Sequence, residues 1–367
     1  MYFPNSTWTW AFSIVTFCQA IIAIALEAYV FGQFESSLDL SDAQRKDPSN
    51  APARTIPTYL SVFIFGFLYQ LLLVWDALRL KNTIQVIGLC LYNLGMLIYS
   101  AVQMDQIHDA VKALKEDKLI EQDAWTLEKP LLIAVPCVIA LGTVLMSYIA
   151  WNLYKEFAWT IYKHISADLK LKRCYLVYQI YIALLKFDFF FFLGFTVQFL
   201  VIVGSTDDTY IGPAEFYLTI IAIPVTIALL FLAAYFTRRE SHAGQVFIIA
   251  IYFAAMAYFI FKLERMYAGK TQAFYYSARR SLTTFAVLTI LLLVITIIVA
   301  AWCEYNFGKG LKRHVQRRKV PDADEVRFTG GSAGGASVGG KYADGWHNGG
   351  HPGQHQLGPV SSRMTID

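Results

Sequence analysis

Lys186 and Asp188 stand two residues apart inside an aliphatic and aromatic run, YLVYQIYIALLKFDFFFF, residues 175–192. Ionisable groups at membrane depth are costly, and they mark relays, ion pathways or substrate sites. If a helix enters hydrocarbon at Tyr175, Lys186 lies about 16 Å deeper, near the bilayer midplane. Tyr175, Gln179 and Lys186 then share one face, a polar track leading inward. Asp188 points nearly the opposite way, so the two charges do not neutralise each other and each needs a partner on another helix. Asn93 is one candidate partner, while Glu27 and Asp76 sit nearer the ends of their own segments. Asp76 and Arg79, three residues apart, are expected to pair locally. The competing reading places the tyrosines of 175–182 at headgroup level and starts the span near Leu184. Lys186 and Asp188 would then sit one turn inside the interface, where a lysine can snorkel. Anchoring is favoured over a relay.

Signals for other chemistry are weak. No HExxH, GxSxG, P-loop or acidic metal cluster occurs among the apolar segments, so no catalytic residue, metal ligand set or cofactor is assigned, and an enzyme is disfavoured. The five cysteines lack CxxC spacing and read as buried thiols, with palmitoylation of Cys174 or Cys303 a weaker alternative. His347, His351 and His355 recur every fourth residue, but without cysteine or carboxylate partners they do not make a metal tract. Pro136 and Pro224 interrupt two apolar segments, which membrane helices tolerate. Ala250 and Ala254 form a small-xxx-small pair expected at a helix contact. Asn5-Ser6-Thr7 is a glycosylation sequon, expected to go unused so close to the first span.

The elements that must position these residues are membrane helices. Of 367 residues, 56% are hydrophobic and 16% charged, against about a quarter charged in soluble domains. Mean hydropathy is +0.44. Eight segments can each cross about 30 Å of hydrocarbon, at roughly Trp8–Phe31, Ile56–Leu78, Thr83–Gln103, Leu131–Trp151, Tyr175–Val203, Pro213–Phe236, Gln245–Phe261 and Leu282–Trp302. The expected fold is an all-α polytopic bundle of eight spans, with seven possible: the seventh is the shortest, and a hairpin of the tightly linked second and third that stopped short of crossing would also change the count. The first span is long enough to remain as an anchor rather than a cleaved signal. Residues 104–128 and 152–172 read as amphipathic connecting helices; the latter, basic and aromatic, fits a helix along the cytosolic lipid surface and, equally, a short extramembrane helix packed on its neighbours. Residues 1–319 form the membrane domain, and the Gly-rich 320–367 a disordered cytosolic tail.

Lysines and arginines in 155–173, at Arg238 and Arg239 and in 309–319 put both termini in the cytosol; the basic 262–280 link runs against this. A net charge of +4 without a basic patch gives no reason to expect nucleic acid. The partners expected are the lipid bilayer and cytosolic proteins reached through 152–172 and the tail, with no oligomeric state deducible.

The stretch from Trp151 to Val203, above all its core IALLKFDFFFFLGFTVQF, resembles the fungal family of uncharacterised Golgi-apparatus multi-pass membrane proteins. The likeness extends more loosely to about residue 319 and stops before the tail. It implies a Golgi location and a multi-pass topology, and it brings no activity or site residues. The expected function is therefore a non-enzymatic role in membrane organisation, trafficking or cargo handling. A small-solute or ion-coupled transporter using Lys186 and Asp188 is the alternative, and a seven-helix receptor trails.

Overall fold

The computed structural model describes residues 6–38, 52–116, 124–164, 169–203, 213–267 and 278–308. They form eight helices: α1 Thr7–Ser37, α2 Pro52–Arg79, α3 Thr83–Glu116, α4 Ala124–His164, α5 Leu169–Val203, α6 Pro213–Arg239, α7 His242–Tyr267 and α8 Arg279–Tyr305. Each holds a stretch long and apolar enough to cross a membrane, so the candidate spans among the described residues number eight. The chain is a multi-pass helical membrane protein.

Local chemistry sets the helix ends. Ser6 caps α1 by accepting from the Trp8 amide at 3.2 Å, and Thr9 returns the contact to the Ser6 amide. The α2–α3 and α6–α7 links are tight turns of one design. Each puts a non-glycine residue in the left-handed region, Lys81 (φ 49) or Glu240 (φ 53). A polar residue follows that caps the next helix: Asn82 accepts from the Ile84 amide at 3.2 Å, and Ser241 from the Gly244 amide at 3.4 Å.

Packing divides the bundle into two four-helix halves of the same connectivity. In the first half α1 packs on α2 and α4, and α3 on α2 and α4. In the second, α5 packs on α6 and α8, and α7 on α6 and α8. The halves meet where α2 and α3 face α5, and α3 faces α8. The two tight turns, Ser6 and Gly308 lie on one face of the bundle, called here the terminal face.

Aromatic rings and glycine notches make the seam between the halves. Phe187, Phe190 and Phe191 of α5 press on α2 and α3. A methyl-sized group on Gly88 would overlap the Phe187 ring, and one on Gly66 would meet Phe190 and Met96. Tyr92 lies edge-on to Phe190 at 5.1 Å and donates its hydroxyl to the Gly66 carbonyl at 2.9 Å. Phe285 of α8 completes the seam, edge-on to Tyr99 at 4.8 Å. In lipid there is little hydrophobic drive between helices, so close packing of this kind carries much of the association.

Several expectations change. Residues 104–116 are not a separate helix but continue α3, and Ile107, Val111 and Leu114 bury against Val30, Phe34, Ile56, Leu60 and Leu132. Residues 152–164 likewise continue α4. The spans therefore run past the hydrocarbon-length windows read from hydropathy. Cys174 and Cys303 are 3% and 1% exposed, which removes them as palmitoylation sites, whereas Cys18 and Cys137 face outward. Ala250 and Ala254 are exposed, so no contact within the described chain uses them. Residues 117–123 and 165–168, Asn5 and the tail from 320 onward, with its three histidines, fall outside the described residues.

Gly88→Leu is expected to force the Phe187 ring out of its seat and destabilise the protein by about 1–3 kcal/mol. Gly32→Ala, where nothing lies within 4 Å, should be neutral or better. Thermal unfolding of the two variants by fluorescence-detected size exclusion compares them directly.

Candidate functional site

The polar groups of the bundle fall into small clusters joining different helices. Lys186 reaches from α5 to Asp76 of α2, which it meets as an ion pair, and donates to the Gln85 side-chain oxygen of α3 at 3.0 Å. Gln85 in turn donates to Asp76 at 2.9 Å and to the Leu73 carbonyl at 3.1 Å. Tyr69 donates its hydroxyl to the Lys186 carbonyl at 2.7 Å, fixing the backbone beneath the charge. Asp76 lies about 6 Å, one helical turn, from the α2–α3 turn. The pair therefore sits close to the terminal face and is partly open, with side chains 26% and 33% exposed. Lys186 is thus engaged by both α2 and α3.

The direction of Lys186 was legible, but its partner was not Asn93. Asp76 takes that role, and with it the expected Asp76–Arg79 pair is lost. Arg79 instead lies over the Trp75 ring, 5.1 Å from its centroid. The wheel argument holds for Asp188. It turns away from Lys186, is fully buried, and accepts from Thr296 of α8 at 2.7 Å. Its other oxygen has no hydrogen-bond partner among the described residues. Lys186 and Asp188 therefore belong to different helix contacts and share no site. Gln179 is half-buried and donates to the Tyr175 hydroxyl one turn back, at 3.1 Å.

Asn93 centres a cluster of its own. It accepts from Gln19 of α1 at 2.7 Å and from Gln70 of α2 at 3.1 Å, and it donates to Thr143 of α4 at 2.8 Å. One amide thus ties all four helices of the first half together. Gln19, Gln70 and Thr143 went unnoticed in the sequence because single uncharged polar residues in apolar runs give no spacing signal. Nearer the opposite face, Gln103 donates to buried Glu27 at 3.1 Å. Ser281 of α8 donates to Gln198 of α5 at 2.8 Å, and Gln198 reaches across the seam to donate to Tyr99 of α3 at 3.0 Å. Beside these, Arg280 pairs with Asp109 at 3.0 Å.

Chemically, these clusters are reciprocal donor–acceptor sets that hold helices in register. The Lys186–Asp76–Gln85 set joins a cation and an anion through a further side chain between three helices and leaves the pair partly exposed. Among the described residues no group of three or more His, Cys, Asp or Glu is placed to hold a metal.

Asn93→Leu strands the Gln19 and Gln70 side chains at once. It should lower the melting temperature by an amount matching about 1–2 kcal/mol. Gln179→Leu, which loses one local contact, should stay within about 0.5 kcal/mol of wild type in the same assay.

The chain is 33% identical over 324 residues to a UPF0658 Golgi apparatus membrane protein of Schizosaccharomyces pombe, covering 83% of this chain and 88% of the relative. No family model and no solved structure matches it.

Proposed function

This chain belongs to the family of UPF0658 Golgi apparatus membrane proteins, and we propose that it serves there as a non-enzymatic membrane component for organisation, trafficking or cargo handling. The observation that carries this reading is the separation of Lys186 from Asp188. Each is engaged by a different helix, as bundle-stabilising groups are, rather than turned with the other toward one chamber.

The terminal face is the cytosolic one in this reading. Arg79, Lys81, Lys155, Arg173, Arg238 and Arg239 lie on it, as the positive-inside rule requires. The opposite face also carries basic residues, and its Arg280 is paired with Asp109. Segment 152–172 and the tail of residues 320–367 would then meet cytosolic partners.

One observation favours the alternative of a small-solute or ion-coupled transporter. Two four-helix halves meet at a seam with an ionisable pair at its terminal end, an arrangement in which one half could rock on the other. The two readings differ in whether the seam must move. Cysteines replacing Gly88 and Phe187, joined by a short bifunctional thiol reagent, lock the halves together. In cells lacking the native protein, the organiser reading expects the locked protein and the Asp76→Asn/Lys186→Gln double variant to restore normal Golgi cargo sorting, and a chain truncated at 319 to fail. Loss of sorting in the locked protein, with localisation and fold intact, sinks the organiser reading in favour of transport. Selective-permeabilisation staining of tags on both termini checks the orientation, since any lumenal signal contradicts it.

A further inference from the structure

One face of α5 is left half-open between α2 and α6. Gln179, Ile182, Lys186, Phe189, Leu193 and Thr196 follow the 3–4 spacing of a single helix face, and all are partly exposed. Phe189 lies between the flanking helices. Its ring meets Tyr69 of α2 at 5.4 Å, and it also lines a crevice with Ile223, Thr226 and Ile227 of α6. The crevice is apolar apart from two threonines and continues along α5 through Phe192, Leu193 and Thr196.

The upper end of this face is polar and the lower end apolar. From Lys186 to Thr196 the helix rises about 15 Å, which is half the hydrocarbon thickness of a bilayer, or one leaflet. The polar end lies within a helical turn of the α2–α3 turn, at interfacial depth. Lys186 has three ammonium donors, and Asp76 and Gln85 account for two of them. Arg79 stands one turn beyond Asp76, laid over exposed Trp75. On the α6 side, Arg238 donates to the Tyr178 hydroxyl of α5 at 3.2 Å, whereas Arg239 is laid over exposed Tyr235 on the side of α6 turned away from the crevice. Among the described residues, none of these three arginines has a carboxylate partner. The mouth thus gathers Lys186, Arg79 and Arg238; Asp76 is engaged by Lys186, and Glu240 of the α6–α7 turn accepts from the Gly308 amide.

The exposed tryptophans fix the depth independently. Trp8, Trp10, Trp75, Trp151 and Trp302, the five whose side chains are described, all lie toward the terminal face and all are exposed. Tryptophan rings collect at the headgroup boundary, which puts the mouth of the groove at phosphate level.

We infer that the groove along α5 between α2 and α6 binds one anionic phospholipid of the terminal-face leaflet. Its phosphate is held by Lys186 and the flanking arginines, and an acyl chain lies along Phe189, Leu193 and Thr196 in the α6 crevice. The excess of cations at the mouth selects an anionic headgroup over a zwitterionic one. The site does not depend on which compartment the terminal face meets.

Native mass spectrometry of the full-length protein, titrated with phosphatidylserine or phosphatidylcholine, tests this. Phosphatidylserine should be retained at several-fold lower concentration, and Arg79→Gln/Arg238→Gln should erase that preference while leaving the Lys186–Asp76 pair in place. Thr226→Trp, which fills the crevice, should abolish the retained lipid. Photolysis of phosphatidylserine carrying a diazirine on its acyl chain should label 189–196 and 223–227 several-fold more than the exposed outer face of α1 at Phe17 and Ile21. Equal retention of both lipids, indifference to both variants, or labelling spread evenly over α1 and α5 would each overturn the assignment. A variant that fails to fold is replaced by the labelling measurement on the native chain, which decides alone.

Discussion

The bundle depends on how closely α5 can approach α2 and α3. That approach is set by rings lying where side chains are missing: Phe187 over Gly88 and Phe190 over Gly66. Because lipid chains are as apolar as phenylalanine, burying these rings gains little from hydrophobicity alone. The gain is in dispersion contacts, which fall off steeply with distance and so demand close fit. Everything else on the seam follows from that separation. Lys186 reaches Asp76, Gln198 reaches Tyr99, and Arg280 reaches Asp109 only because the backbones are this near.

Polar clusters then give the packed helices a single register. Rings sliding along a glycine groove would tolerate several axial positions. A four-helix amide node at Asn93 does not, because a shift of one turn leaves Gln19, Gln70 and Thr143 without their partners in hydrocarbon. The two halves use different means to this end. The first has its amide node, whereas the second relies on Tyr181–Tyr252, Asp188–Thr296 and a Thr237–Gln245 link near its tight turn.

Hydropathy made the eight helices legible, since length and apolarity are properties of a segment by itself. The opposed directions of Lys186 and Asp188 were legible too, because a helical wheel needs only the local chain. Their partners were not. Whether α5 faces Asn93 or Asp76 depends on axial offset between helices, and that offset is set by the Gly88–Phe187 contact rather than by any charge. Residues 104–116 misled for a related reason. Their amphipathic pattern is real, but its apolar stripe matches the ends of α1, α2 and α4 and prolongs a span instead of forming a separate connecting helix. The two-half architecture left no trace because the halves share connectivity and turn geometry without sharing sequence.

The seam has a consequence for how the protein is made. Helix α5 leaves the ribosome three helices ahead of α8, yet Asp188 waits for Thr296 and Gln198 for Ser281, both supplied by that last helix. Until then a carboxyl and a carboxamide lack their final partners, while the first half is already closed around Asn93. The nascent chain therefore passes through a stage with one finished half and one that an intramembrane quality-control factor could recognise by its uncovered polar groups. Release from that stage coincides with insertion of α8, so closure of the second half and concealment of these polar groups are one event.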